Sequence, residues 1–178
     1  MKKILLITLS FLAFFIISTF FYLLLLSRDA GNVPSALIGK KVPIFEKSTL
    51  FDEEIFLSPS EFQEKISVVN FFATWCVPCR IEHPYLIKLK KNENIQIIGI
   101  NYKDDLNKAK QWLSEEGNPY HDVIIDNNGM LAIDWGVYGI PETFVISSKG
   151  VVKYRQIGPL TGDNYDKFYK ELSRVIND

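Results

Sequence analysis

From Ile4 to Leu26 the chain runs for 23 residues without a charge. As a helix rising 1.5 Å per residue, such a run is long enough to cross a hydrocarbon core of ~30 Å. A cleaved signal peptide has a shorter apolar stretch and a small-residue cleavage site. This run stays bulky to its end, Phe20-Phe21-Tyr22-Leu23-Leu24-Leu25-Leu26, and no Ala-x-Ala pattern follows. An uncleaved anchor is therefore expected over 1–27. Lys2 and Lys3 precede the run and Arg28 follows it, a small bias that keeps the N-terminus inside and sends the rest across. Residues 28–38, polar with Gly31 and Pro34, read as a linker. Residues 39–178 remain, enough for one core.

Charge narrows the function classes. Setting aside Lys2, Lys3 and Arg28, the only charges before Asp29, leaves 17 basic and 21 acidic residues. A net of about −4 offers no basic face for nucleic acid. Cys76 and Cys79 are the only cysteines. A structural disulfide framework uses several cysteines at wide spacing. A bridge closing so short a loop also stabilises weakly. The pair points to chemistry rather than structure.

The pattern along 39–178 is mixed α/β. Glu46–Leu50 and Glu54–Leu57 suggest a hairpin across Phe51-Asp52-Glu53. Ser58-Pro59-Ser60-Glu61 is a cap opening a short helix. Val68–Phe72 is a compact apolar run, as in a strand buried on both faces. The cysteine motif then opens a helix to about Lys91, and Ile95–Ile100 is the next buried strand. Leu106, Ala109 and Leu113 give 106–116 one apolar helical face. Val123–Ile125 is strand-like and stops at Asp126-Asn127-Asn128-Gly129. Thr143–Ile146 and Val151–Ile157 flank the turn Ser148-Lys149-Gly150. Tyr165, Phe168, Tyr169, Leu172 and Ile176 mark a final helix. Parallel strands joined by helices, then a hairpin and a helix, predict a central mixed sheet with helices on both faces.

A dithiol at a strand-to-helix junction has a mechanism. Free N–H groups and the helix dipole favour a thiolate at the first position. That thiolate attacks a disulfide, and the second thiol resolves the mixed disulfide. Cys76 is thus the expected attacking thiol, Cys79 the resolving thiol, and Cys76–Cys79 the redox-active disulfide. Trp75 would shield the pair, and Val77-Pro78 would limit how many backbone donors reach the thiolate. A zinc site would need a second ligand pair, and only His83 and His121 remain. Covalent haem attachment needs His after the second cysteine, where Arg80 stands. Copper(I) on Cys76, Cys79 and His83 stays open as a side activity, although His83, before Pro84, reads foremost as a helix-surface residue. A peroxidase would need an isolated reactive cysteine, which Cys79 argues against. No metal or cofactor is expected for the dithiol chemistry. Trp112 and Trp135 read as core or partner surface.

The strand Val68-Val69-Asn70-Phe71-Phe72-Ala73 leading into Trp75-Cys76-Val77-Pro78-Cys79 resembles the thioredoxin superfamily. Pro84 sits where that superfamily's active-site helix is kinked, and Ile140-Pro141 where it has its cis-proline. Gly39–Phe45, Cys79–Pro84, Gly99–Asp104, and above all Asp134-Trp135-Gly136-Val137-Tyr138-Gly139-Ile140-Pro141-Glu142-Thr143-Phe144 are similar to the DsbE/CcmG family, the thiol:disulfide interchange proteins of cytochrome c maturation. The resemblance implies an α/β thioredoxin-like fold, with an N-terminal hairpin and a helix–strand insertion near 104–126. It implies a protein-disulfide reductase held in the inner membrane by a single pass, with its C-terminal domain in the periplasm. The substrate would be the haem-binding cysteines of apocytochrome c, or a partner thiol protein, with electrons from a membrane thiol reductase of the DsbD/CcdA type. Another periplasmic target, or copper handling, is the alternative.

The resemblance also implies roles for Pro141, Glu82 and Glu142. A cis X–Pro bond costs only about 0.5–1 kcal/mol, and it would leave the Ile140 backbone free to pair with an extended substrate. Tyr138 and Ile140 would line that groove or pack in the core. Glu82 and Glu142 would relay protons near the dithiol, or else be solvated surface residues. The superfamily's buried aspartate, six positions before the first cysteine, is replaced here by Asn70, which cannot titrate. The proton route must differ, and either glutamate is expected to take it over.

Overall fold

The computed structural model describes residues 2–26 and 35–178. The chain divides into two compact units, one carrying the N-terminal helix and the other running from Ser35 to Asp178. Helix α1 spans Lys2–Leu26. Its stretch Ile7–Leu25 is long and apolar enough to cross a membrane. Its described large apolar side chains are exposed, as in a helix surrounded by lipid. The predicted linker lies partly outside the described residues, as does Arg28 of the orientation argument. Its final residues, Ser35 to Ile38, form a turn on the second unit, closed by Ile38 N donating to Ser35 O.

The second unit is built on a five-stranded sheet of order β5-β4-β3-β6-β7. Its strands are β3 (Ile66–Phe72), β4 (Ile95–Tyr102), β5 (Asp122–Asp126), β6 (Glu142–Ile146) and β7 (Val152–Ile157). β3 pairs in parallel with β4 and antiparallel with β6. It is the central strand, buried on both faces, which accounts for its mostly apolar sequence. A small antiparallel pair, β1 (Lys47–Ser48) and β2 (Phe56–Leu57), forms the predicted hairpin. That hairpin is tied to the sheet edge by Leu50 N donating to Val123 O. The insertion is also present: α3 (Leu106–Glu115) leads to edge strand β5. Ser58 caps only a single 3-10 turn, Pro59–Phe62, rather than an α-helix.

Alternation along the strands fills two cores. Val68, Phe72, Ile97, Val123 and Val145 face α2 (Val77–Leu89), α3 and α5 (Gly162–Asn177). Val69, Phe71, Ile98, Ile100, Phe144 and Ile146 face the N-terminal segment and α4 (Met130–Asp134). Trp135 closes this second core, fully buried with its ring against Phe62, Phe71 and Phe144. Helix α4 has no counterpart in the sequence reading. Asp126, at the end of β5, starts it by accepting from Leu131 N and Ala132 N. On α5, Tyr165, Phe168 and Leu172 are buried while Tyr169, expected on the same face, stays exposed.

Candidate active site

β3 ends at Phe72 and α2 begins at Val77, so Trp75 and Cys76 lie in the turn between them and Cys79 in the first turn of α2. The motif's base is braced from the loop after β4. Asp104 accepts from Thr74 N at 2.6 Å, from Thr74 Oγ1 at 2.7 Å and from Asn101 Nδ2 at 2.9 Å. Arg80 Nε donates back to Thr74 O. Trp75 lies exposed beside the pair, its Nε1 donating to Lys103 O.

Cys76 and Cys79 form a disulfide with an S–S distance of 2.06 Å. Both are nearly buried, at 4% and 2% exposure. Cys76 is the N-cap of α2, and Cys79 N donates to its Sγ at 3.2 Å. Pro78 has no N–H to offer, so the Cys79 amide is the donor that reaches the leading sulfur. The same amide stands ready to favour a thiolate on Cys76 once the bond is reduced.

The Ile140–Pro141 bond is cis. Cys76 Sγ lies 3.6 Å from Ile140 O, so this loop forms one wall of the disulfide. Tyr138 is exposed at the loop's rim and Ile140 is half-buried. Trp75 and Val77, which flank Cys76 in the chain, are exposed beside the nearly hidden sulfurs, and Tyr138 is exposed on the loop that meets Cys76.

Both glutamates are fully buried, which removes the solvated-surface alternative, but they lie on opposite faces of the sheet. Glu82 is on α2, one turn beyond Cys79. Its Oε1 accepts from Asn70 Nδ2 at 2.8 Å and its Oε2 from Leu160 N at 2.8 Å. Asn70 also donates to Thr143 Oγ1 and accepts from Tyr120 OH. Burial pushes Glu82 up to about 7, against the opposing pull of the Leu160 amide and of Asn70. No cation is among its partners.

Glu142 follows Pro141 on β6, and strand alternation turns its side chain to the face of Phe144 and Trp135. Arg155 meets it there, with Nε and a terminal nitrogen 2.7 and 2.6 Å from Oε2. Burial raises Glu142 above the ordinary carboxylate range, while Arg155 and the Tyr138 and Gly139 amides pull it down. Arg155 also donates to Gly136 O and stacks over the Tyr138 ring at 4.6 Å. The pair therefore fastens the loop 136–142. The structure sets Trp75 and Pro78 next to the cysteines in the chain, brings the Ile140–Pro141 loop to Cys76, holds Glu82 one turn beyond Cys79 on α2, and brings the Glu142 carboxylate to Arg155.

His83 departs from expectation. It is buried, its ring 4.3 Å from that of Trp112 and its Nε2 bonded to Gly117 O. Burial lowers its pKa from the usual value. Among the described residues, no three His, Cys, Asp or Glu side chains are grouped to hold a metal ion.

Arg155, Asp104 and Tyr120 were not singled out from the sequence. Only Asp104 carries a sequence signal, as the end of the family-like stretch Gly99–Asp104.

Comparison with known proteins agrees with this geometry. The redoxin family profile matches residues 37–172. The thiol:disulfide interchange protein DsbE of Vibrio cholerae is 42% identical over 170 residues, covering 93% of this chain and 91% of the relative. The thiol:disulfide interchange protein CycY of Rhizobium leguminosarum is 48% identical over 134 residues, covering 75% of this chain and 72% of the relative. Among solved structures, a thiol:disulfide interchange protein of the thioredoxin family from Chlorobium tepidum superposes with a TM-score of 0.63 at 26% identity, covering 82% of this chain and 99% of that one. With a redoxin fold, a dithiol pair at its expected junction and relatives at this identity, the chain is a thiol–disulfide oxidoreductase that belongs to the DsbE family of thiol:disulfide interchange proteins.

Proposed function

We propose that this oxidoreductase works as a dithiol reductant in cytochrome c maturation, with 1–27 as its membrane anchor, 28–38 as the linker and 39–178 as the catalytic domain. The Cys76 thiolate attacks one sulfur of a substrate disulfide, such as that between the haem-binding cysteines of apocytochrome c. A mixed disulfide forms and one substrate thiolate leaves, taking a proton. The Cys79 thiolate then attacks Cys76 Sγ, and the second substrate thiolate leaves. Two electrons pass to the substrate, and the chain is left with the Cys76–Cys79 disulfide seen in the structure. A membrane thiol reductase of the DsbD/CcdA type restores the dithiol.

Placement in the fold supports a role for each residue in this reading. Pro141 and the Ile140 backbone form the wall along which an extended substrate pairs, with Tyr138, Trp75 and Val77 as its apolar rim. Glu82 takes the proton from Cys79 as it becomes the resolving thiolate; a carboxylate poised near neutrality suits that transfer. Glu142 acts by fastening the cis-proline loop to Arg155. An inner-membrane, single-pass location with the catalytic domain in the periplasm is supported by α1 and by family membership.

The observation that carries the reading is a nearly buried disulfide whose leading sulfur caps a helix beside an exposed apolar rim. The test is capture by Cys79→Ser in cells. Without the resolving thiol, the mixed disulfide on Cys76 should accumulate with apocytochrome c or with a thiol protein of its maturation. Recovery of unrelated periplasmic disulfide proteins in their place rejects the assigned substrate. A Cys76–Cys79 potential near that of a dedicated oxidant, about −120 mV, rejects the reductive direction.

A further inference from the structure

We infer that Tyr120 is a positioning residue of this site: by donating its hydroxyl to Asn70, it fixes which end of the Asn70 amide faces Glu82. The inference rests on the reading of Glu82 as proton acceptor and assigns a part in it to the insertion.

The hydrogen bonds carry the argument. Asn70 Nδ2 serves Glu82 Oε1 at 2.8 Å and Thr143 Oγ1 at 3.0 Å. Its Oδ1 takes the Tyr120 hydroxyl at 2.8 Å. Asn70, Glu82 and Thr143 are fully buried and Tyr120 nearly so, which leaves little water to substitute for a missing partner. Burial, then the neighbouring Glu82 charge, holds the Tyr120 phenol well above its ordinary pKa, so it keeps its proton to donate.

An amide has a donor end and an acceptor end of nearly equal shape. Without the Tyr120 hydroxyl, Asn70 Oδ1 is a buried acceptor with no donor, so the orientation that aims Nδ2 at Glu82 loses its anchor and the turned-over amide gains population. Oδ1 would then face Glu82 Oε1. Two acceptors can meet only if the carboxyl carries a proton, so Glu82 would be held protonated where it should be accepting.

Tyr120 is held firmly enough for this task. Its ring stacks on Phe72 at 4.7 Å between centroids. A Cβ on Gly99 would come within 3.0 Å of the Tyr120 ring and 2.9 Å of Phe72, so only glycine leaves room. The segment between α3 and β5 thereby delivers one hydroxyl into the redox site.

The titratable groups facing Glu82 are few. Cys76 and Cys79 share its helix, and Tyr120 approaches from the segment before β5. β3 offers Asn70, β6 offers Thr143 and the approach to α5 offers the Leu160 amide, none of which titrates. His83 is turned to Trp112 and Gly117, and Glu142 and Arg155 pair on the far face.

The test uses the full chain, following resolution of a mixed disulfide on Cys76 with a model peptide between pH 5 and 9. In Tyr120→Phe the ring stays and the hydroxyl goes. The rate inflection should move up by about one pH unit, the weight of one hydrogen bond to a charged group. Infrared titration of the Glu82 carboxyl in the oxidised chain should show the same upward move, which a merely structural role would not produce. A Tyr120→Phe profile and carboxyl midpoint that superimpose on the wild type overturn the positioning role. Glu82→Gln, run beside it, separates the two claims: if it keeps the wild-type inflection, the Glu82 reading falls and the positioning role with it.

Discussion

Glu82 and Glu142 are both fully buried in one small domain, and their surroundings assign them different work. Glu82 sits on the helix that bears Cys79 and turns its carboxylate to the sheet, onto Asn70. Its partners are an amide side chain and a backbone N–H, with no cation. Glu142 faces the other core, against a guanidinium that also holds the proline loop. Neutral donors leave burial to dominate at Glu82, so it titrates near neutrality and can exchange a proton. At Glu142 the guanidinium works against burial, and the carboxylate serves as a structural counter-ion. Neighbouring side chains of β6, Thr143 and Glu142, thus belong to separate networks because a strand sends successive side chains to opposite faces.

The strongest way to break this comparison is to remove the cation. Arg155→Met leaves Glu142 buried without its counter-charge, at a cost of roughly 3–5 kcal/mol. Urea unfolding at neutral pH should show that loss, and Arg155→Met with Glu142→Gln should recover most of it. A loss under ~1 kcal/mol in the single variant would mean the pair fastens nothing.

Next comes the pH dependence of stability. Glu82 is raised from 4.5 to about 7 in the folded state. Between those values the folded chain binds more protons than the unfolded chain, so stability falls as pH rises through that window. The shift corresponds to about 3 kcal/mol. Unfolding free energies from urea titration of the oxidised chain at pH 4.5 and 7.5 should differ by that much more in the wild type than in Glu82→Gln. Equal differences would contradict the account of Glu82.

The smallest effect sharpens the boundary between the two faces. Thr143→Val removes one acceptor from Asn70 and should cost about 1 kcal/mol. Nuclear magnetic resonance of the Arg155 side chain should register no change, since the ion pair lies across the sheet. A shifted Arg155 signal would show that the networks communicate.

What the sequence made legible was local. An apolar run marked β3, a spacing marked the dithiol, and Ile140-Pro141 marked the loop that meets Cys76. What it hid depends on distant docking. Tyr120 and Asn70 are 50 positions apart, and Arg155 and Glu142 are 13 apart. His83 looked like a surface residue because nothing near it foretells that Trp112 of α3 will cover it. At five residues, α4 is too short for periodicity to register. Burial of the two glutamates was equally hidden, because local pattern does not tell a carboxylate aimed between elements from one aimed at water.

The central claim is that Glu82, and not Glu142, handles the proton during resolution. The direct measurement is the rate at which Cys79 resolves a mixed disulfide on Cys76, followed against pH in Glu82→Gln and Glu142→Gln. Glu82→Gln should slow the step by on the order of 100-fold and lose the inflection near pH 7, while Glu142→Gln keeps that inflection. The account is contradicted if Glu82→Gln retains both rate and inflection, or if the inflection disappears with Glu142.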